Sequence, residues 1–162
     1  SQPEDNAYSP LSSAKAAEAL MDQLQRAKDA GATVHVGGDR PDLPGFYVQP
    51  TVLTDVPQGS EIYYEEFFGP VINIFRVESD EQALQLANDT QYGLGSAVFA
   101  TEAERARRFA DQLEAGMVGA NTSPEESAEV PFGGVKRSGY GRELGPVGMD
   151  EFVNKRLLTV KK

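Results

Sequence analysis

The sequence contains no cysteine. Disulfides, thiolate metal sites and a cysteine nucleophile are therefore excluded within its 162 residues. Histidine is almost as scarce: His35 stands alone, inside the apolar alternation ATVHVGG. A single histidine gives a histidine-centred triad little support, and His35 reads as a strand residue near a surface. No metal site is expected. No apolar run approaches the ~20 residues of a membrane span. The opening SQPEDNAYSP has neither the basic segment nor the apolar stretch of a secretory signal, and reads as a linker or a cut end. No basic stripe interrupts the net charge of −10, which is ill suited to a phosphate backbone. Neither nucleic acid nor a membrane is expected as a partner, and the expected location is cytoplasmic. Internal repeats and low-complexity segments are also missing.

What is present suits one globular domain with a sizeable core, since 40% of the residues are hydrophobic. SSAKAAEALMDQLQRAKDAG reads as an amphipathic helix, capped by Ser12 or Ser13 and stopped by Gly31. TVHV is a short strand, GGDRPDLPG a loop, and FYVQPTVLTDV a strand interrupted at Pro50. VINIFRV, from Val71 to Val77, is an apolar strand rich in β-branched residues. Ser79 with Gln82 and Thr101 with Glu104 are capping-box pairs that open two further helices. The strands SAVFA and MVGA follow those helices in turn. Strand, helix, strand, helix, strand with short links predicts parallel strands and half of a doubly wound α/β sheet. Ligands of such sheets bind beyond the carboxyl ends of the strands. That singles out the loops after Ala100 and after Ala120, the second with six glycines between Gly133 and Gly148. The tail DEFVNKRLLTVKK resumes an apolar alternation and reads as a further strand.

Two stretches carry the chemistry. In EEFFGP, adjacent side chains of an extended chain point to opposite faces. Glu66 and Phe68 therefore share a face that Glu65 does not. A carboxylate beside a ring suits a sugar attached to a flat heterocycle; an exposed acid ahead of a buried aromatic strand is the plainer alternative. PFGGVKRSGYGRELG departs from the Walker pattern and from the dinucleotide fingerprint. Its glycines read as tight turns or close packing, and Lys136, Arg137 and Arg142 as solvated or ion-paired.

Taken together, FYVQPTVLTDV, EEFFGPVINIFRV, ANDTQYGLGSAVFA, LEAGMVGAN and PFGGVKRSGYGRELG resemble the C-terminal portion of an NAD(P)-dependent aldehyde dehydrogenase, from about Pro10 onward. The succinate-semialdehyde and aromatic-aldehyde branch is the nearest in flavour. The resemblance implies a parallel, doubly wound α/β catalytic domain over residues 1–149 and an oligomerisation strand over 150–162. It implies that Glu66 binds the nicotinamide ribose of NAD or NADP, that Phe68 packs near the nicotinamide, and that Phe132 lines the aldehyde channel. The loop from Asn121 to Val130 would wall that channel, and its Glu125, Glu126 and Glu129 do not favour an anionic aldehyde. The family's nucleophile is a cysteine, so the resemblance also implies a fragment whose N-terminal, thiol-bearing part lies elsewhere. No catalytic residue is expected in this chain. Its expected partners are a small aldehyde, that missing part, and further copies joined through the tail. A non-catalytic folded fragment or pseudo-subunit is the alternative.

Overall fold

A computed structural model describes residues 8–161. Most of the N-terminal stretch read as a linker, and Lys162 of the tail, lie outside the described residues. The chain divides into two compact units, one ending at Arg76 and the other beginning at Val77.

The first unit is built on helix α1 (Ala14–Ala30). Ser13 caps it, its side chain accepting from the Ala16 amide at 3.1 Å. Gly31 ends it at φ 113°, a left-handed conformation that glycine adopts without a Cβ penalty. Ala17, Leu20, Leu24 and Ala27 recur at helical spacing and are buried. They pack against Val48, Leu53, Val56 and Ile62. The sheet beneath contains β1 (Thr33–Val36), β2 (Thr51–Thr54) and β3 (Val71–Asn73), in that order. β1 and β2 run antiparallel, with an irregularity between Val34 and Val36; β2 and β3 run parallel. β2 begins directly after Pro50, as the missing amide proton requires.

β3 is shorter than the expected Val71–Val77. Ile74 still donates to Leu53 O at 2.9 Å, but β2 ends at Thr54 and the chain turns at Asp55, φ 60°. Beyond that point β3 has no neighbouring strand among the described residues. Nor is it buried on both faces: Val71 packs on the core, whereas Ile72 and Ile74 are exposed.

The second unit holds α2 (Asp80–Asn88), β4 (Gly95–Val98), α3 (Ala103–Ala110) and β5 (Met117–Ala120). β4 and β5 pair in parallel, Gly95 opposite Met117 through Val98 opposite Ala120, with α3 as the crossover. Ser79 caps α2 as expected, while the Gln82 side chain reaches back to the Glu78 amide. The second capping box does not form. Glu102 occupies the cap position of α3 without a side-chain cap bond, and its carbonyl accepts from Ala106. Thr101 is thereby left one residue outside the first turn.

The expected run of parallel strands is therefore only partly matched. The fold is α/β with parallel pairing, but its strands divide into a three-stranded sheet with one antiparallel pair and a two-stranded parallel sheet. After β5 the chain makes a short 3-10 turn at Lys136–Ser138, a bridge between Phe132 and Glu143, and a short helix α4 (Gly145–Asp150). Residues 154–161 carry no assigned helix or strand, and Phe152, Leu157, Leu158 and Val160 are highly exposed. Among the described residues no helix is long and apolar enough to cross a membrane.

Candidate functional site

EEFFGP follows a 3-10 helix at Glu61–Tyr64, and Glu65 leaves it extended at φ −86°, ψ 143°. Exposure then alternates. Glu65 and Phe67 are half-buried, with Phe67 packed on the core, while Glu66 and Phe68 are exposed, Phe68 at 76%. The period of two expected from an extended chain is thus observed.

The two carboxylates have opposite surroundings. Arg26 Nη1 and Nη2 reach Glu65 Oε1 and Oε2 at 2.5 and 2.7 Å, a two-pronged, charge-assisted contact. Gln23 Nε2 adds a bond to Glu65 Oε2 at 3.1 Å. Arg26, first, and Gln23, less strongly, hold the Glu65 carboxyl down to about 2, and Glu65 in turn raises the Arg26 guanidinium above its ordinary value. Glu66 forms no side-chain hydrogen bond or salt bridge among the described residues; its main-chain carbonyl accepts from Gln23 at 3.0 Å. One glutamate is saturated and the other is open. Glu66 and Phe68, the two residues expected to meet a nicotinamide ribose and its ring, are both open to solvent.

In the second unit Phe132 is half-buried and clamped through its main chain. Its amide and carbonyl exchange 2.7 Å bonds with Glu143. The Gly133–Gly134 segment beside it lies against Gly116 so closely that a Cβ at Gly116 would overlap the Gly133 carbonyl. Arg142 Nη1 donates to Gly134 O at 2.9 Å and to Gly141 O at 2.6 Å. Val135 donates to Gly93 O at 2.9 Å, and Lys136 Nζ to Asn88 O at 2.9 Å and Thr90 O at 3.1 Å, with Glu114 as its ion-pair partner. Lys136 is thus ion-paired as expected, whereas Arg142, expected to be solvated or ion-paired, is bound to main-chain carbonyls of its own loop. Phe132 opens on a cleft of about 330 Å³, lined also by Leu94, Tyr140, Arg142 and Phe152. The loop after β5 starts at Asn121, φ 57°, whose Oδ1 accepts from the Ala100 amide at 2.7 Å. That bond ties together the two loops expected at the strands' carboxyl ends.

Glu66 and Phe68 therefore share one face in the first unit, and Phe132 belongs to the second. His35 is exposed on β1, with Nε2 2.8 Å from Thr54 Oγ1. The described residues contain no cluster of three or more potential metal-ligating side chains.

The sequence model of the aldehyde dehydrogenase family matches residues 1–158. This chain belongs to the aldehyde dehydrogenase family. Among curated proteins it is 53% identical, over 149 residues, to the NADP(+) succinate-semialdehyde dehydrogenase of Deinococcus radiodurans, covering 92% of this chain and 31% of that protein. It is 44% identical to the peroxisomal aminoaldehyde dehydrogenase 1 of Malus domestica, covering 88% of this chain and 29% of that one. It spans less than a third of either. Its structure superposes on a Streptococcus pyogenes succinic semialdehyde dehydrogenase in complex with NADP+, with a TM-score of 0.92 at 41% identity, covering 99% of this chain and 35% of the other. A Staphylococcus aureus betaine aldehyde dehydrogenase in complex with NAD+ gives 0.86 at 39%, covering 93% and 31%.

Within this aldehyde dehydrogenase segment, sequence reasoning found the outward pair but missed what holds it. Gln23 and Arg26 are three apart on α1, one turn of a helical face, and nothing local links them to Glu65, 39 residues after Arg26. Asn121 carried a signal, because asparagine tolerates the left-handed region at a strand end.

Proposed function

We propose that this chain is the C-terminal part of an NAD(P)-dependent aldehyde dehydrogenase that oxidises a small aldehyde to its carboxylate. Glu66 accepts hydrogen bonds from the nicotinamide ribose, Phe68 flanks the nicotinamide, and Phe132 lines the aldehyde channel. The observation that carries this reading is the division of labour at EEFFGP: Glu65 is consumed by α1, while Glu66 stands open beside an exposed ring. The bound nucleotide supplies the hydride acceptor, and NAD and NADP both occur among the relatives. The chain's own part is to bind and orient: a misplacement of about 1 Å in a near-attack geometry costs on the order of 100-fold. The nucleophilic thiol comes from residues outside this sequence, which has no cysteine. Residues 1–149 complete a doubly wound catalytic domain with strands from the remainder of the protein. Residues 150–162 form a strand with a neighbouring subunit in a homo-oligomer, and the enzyme works in the cytoplasm.

The test is Glu66→Gln in the full-length enzyme. Loss of one charge-assisted acceptor, about 1.5–3 kcal/mol, lowers nucleotide affinity or hydride transfer by about 10–100-fold. Unchanged kinetics for both nucleotide and aldehyde would overturn the assignment. The missing cysteine supports a second reading, that the chain alone is a folded, non-catalytic unit of assembly. Neither reading expects NADH formation by the purified 162-residue chain with a panel of aldehydes; the intact mass of the expressed polypeptide, compared with 17.5 kDa, separates the two.

A further inference from the structure

We infer that Gln23, Arg26 and Glu65 form a positioning network that sets the direction of Glu66. This rests on the reading of Glu66 as the ribose clamp and extends it to residues on a different element. The Glu65 backbone is extended, so the side chains at 65 and 66 diverge. Whatever holds the first directs the second. Arg26 grips both Glu65 oxygens, and Arg26 is itself steadied by Asp22, whose Oδ2 lies 3.0 Å from Nε. Gln23 Nε2 then spans the two glutamates, donating to the Glu65 carboxylate and to the Glu66 main-chain carbonyl. Both acceptors are oxygens, so only the amide nitrogen of Gln23 serves at that place.

α1 supports this job from a rigid position. Leu20 and Leu24, which bracket Gln23 on the helix, are fully buried in the core. Phe67, on the inner side of EEFFGP, packs against the same cluster. The segment carrying Glu66 is thus held at three points: to the core by Phe67, and to the helix by the Glu65 carboxylate and by the Glu66 carbonyl. The Glu66 side chain, left out of all three, projects from the opposite face together with Phe68. A surface ion pair evolved only for stability would need no bond to the neighbouring residue's carbonyl, and exposed pairs contribute little stability.

The experiment is a double-mutant cycle in the full-length enzyme, reading nucleotide affinity by fluorescence titration and hydride transfer by rapid mixing. The variants are Gln23→Ala, Glu65→Gln, Glu66→Gln and the Glu65→Gln/Glu66→Gln pair, with thermal melting to confirm folding. Gln23→Ala and Glu65→Gln are each expected to lower affinity or transfer about 10-fold, a fraction of the ~100-fold that a 1 Å displacement costs. In the Glu66→Gln background the Glu65→Gln effect disappears, because Glu65 acts only through Glu66. Arg26→Lys keeps the charge but loses the fork, and it falls between the parent and Glu65→Gln. If Glu66→Gln weakens the nucleotide while Glu65→Gln and Gln23→Ala do not, the network is overturned and the clamp stands. The network is overturned likewise if the Glu65→Gln effect persists at full size beside Glu66→Gln. A silent Glu66→Gln overturns the clamp, and the network with it.

Discussion

Of the nine buried hydrophobic residues described, eight lie in the unit ending at Arg76 and one, Ala106, in the unit beginning at Val77. The second unit's other buried positions are Gly93, Gly119, Gly134 and Gly148. One half thus closes around aliphatic side chains, four of them supplied by α1. The other closes where backbone meets backbone. The two halves differ in what they tolerate. A side-chain core accepts exchanges that conserve volume. A glycine seam accepts no added atom, yet it places main-chain donors and acceptors closely enough to hold a loop such as Gly133–Gly134 against Gly93 and Gly116.

The largest expected effect tests the first half. Leu24→Ala should cost about 3 kcal/mol, while Leu24→Met should cost less than about 1.5 kcal/mol; urea denaturation of the chain measures both. Equal costs would mean that side-chain volume does not govern that core. Next comes Gly116→Ala. Its Cβ meets the Gly133 carbonyl, a main-chain atom with little room to yield. A loss of about 2 kcal/mol is expected, confined by hydrogen exchange to the residues around β4, β5 and Phe132. A silent Gly116→Ala would abolish the contrast.

Smaller effects sharpen it. Ser79→Ala removes an observed helix cap and should cost about 1 kcal/mol. Thr101→Ala removes none and should stay within about 0.5 kcal/mol. The smallest is acid sensitivity. The Glu65 carboxyl, held by Arg26, stays ionised down to about 2 in the folded chain. Its ordinary value is about 4.3, so its contribution is complete above that value and lost as pH falls from there towards about 2. Glu65→Gln should flatten that part of the acid unfolding curve. Asp80 is also lowered, by Arg105, but both partners are about half exposed, so its effect should fade in salt.

Local rules explain which parts were legible. Ser13 and Gly31 bound α1 because caps act within a turn of the residues they cap. Pro50 marks the start of β2, and Ser79 the start of α2, for similarly local reasons. Failures occurred where distant partners decided, where a cap shifted by one residue, or where an element was too short to show its period. The length of β3 is set by where β2 ends. Thr101 lost its cap to a one-residue shift in the helix register. α4 has only six residues, too few to display a helical period, although Pro146 stands at its start as proline often does. In EEFFGP the shared exposure of Glu66 and Phe68 was readable because alternation is local, and Arg26 was not because its partner is 39 residues away.

The tail has an electrical consequence. Four of the chain's fifteen lysines and arginines fall within its last eight positions, where there is no acidic residue. Charge is therefore unevenly distributed along the sequence: an acidic chain whose last eight residues are a cationic string carrying Leu157, Leu158 and Val160. Any acidic surface attracts that end across roughly 10 Å at 0.1 M ionic strength and across only about 3 Å at 1 M. Attraction between the tail and an acidic surface should therefore weaken as salt rises. Burial of Leu157, Leu158 and Val160, by contrast, is a contribution that salt does not screen.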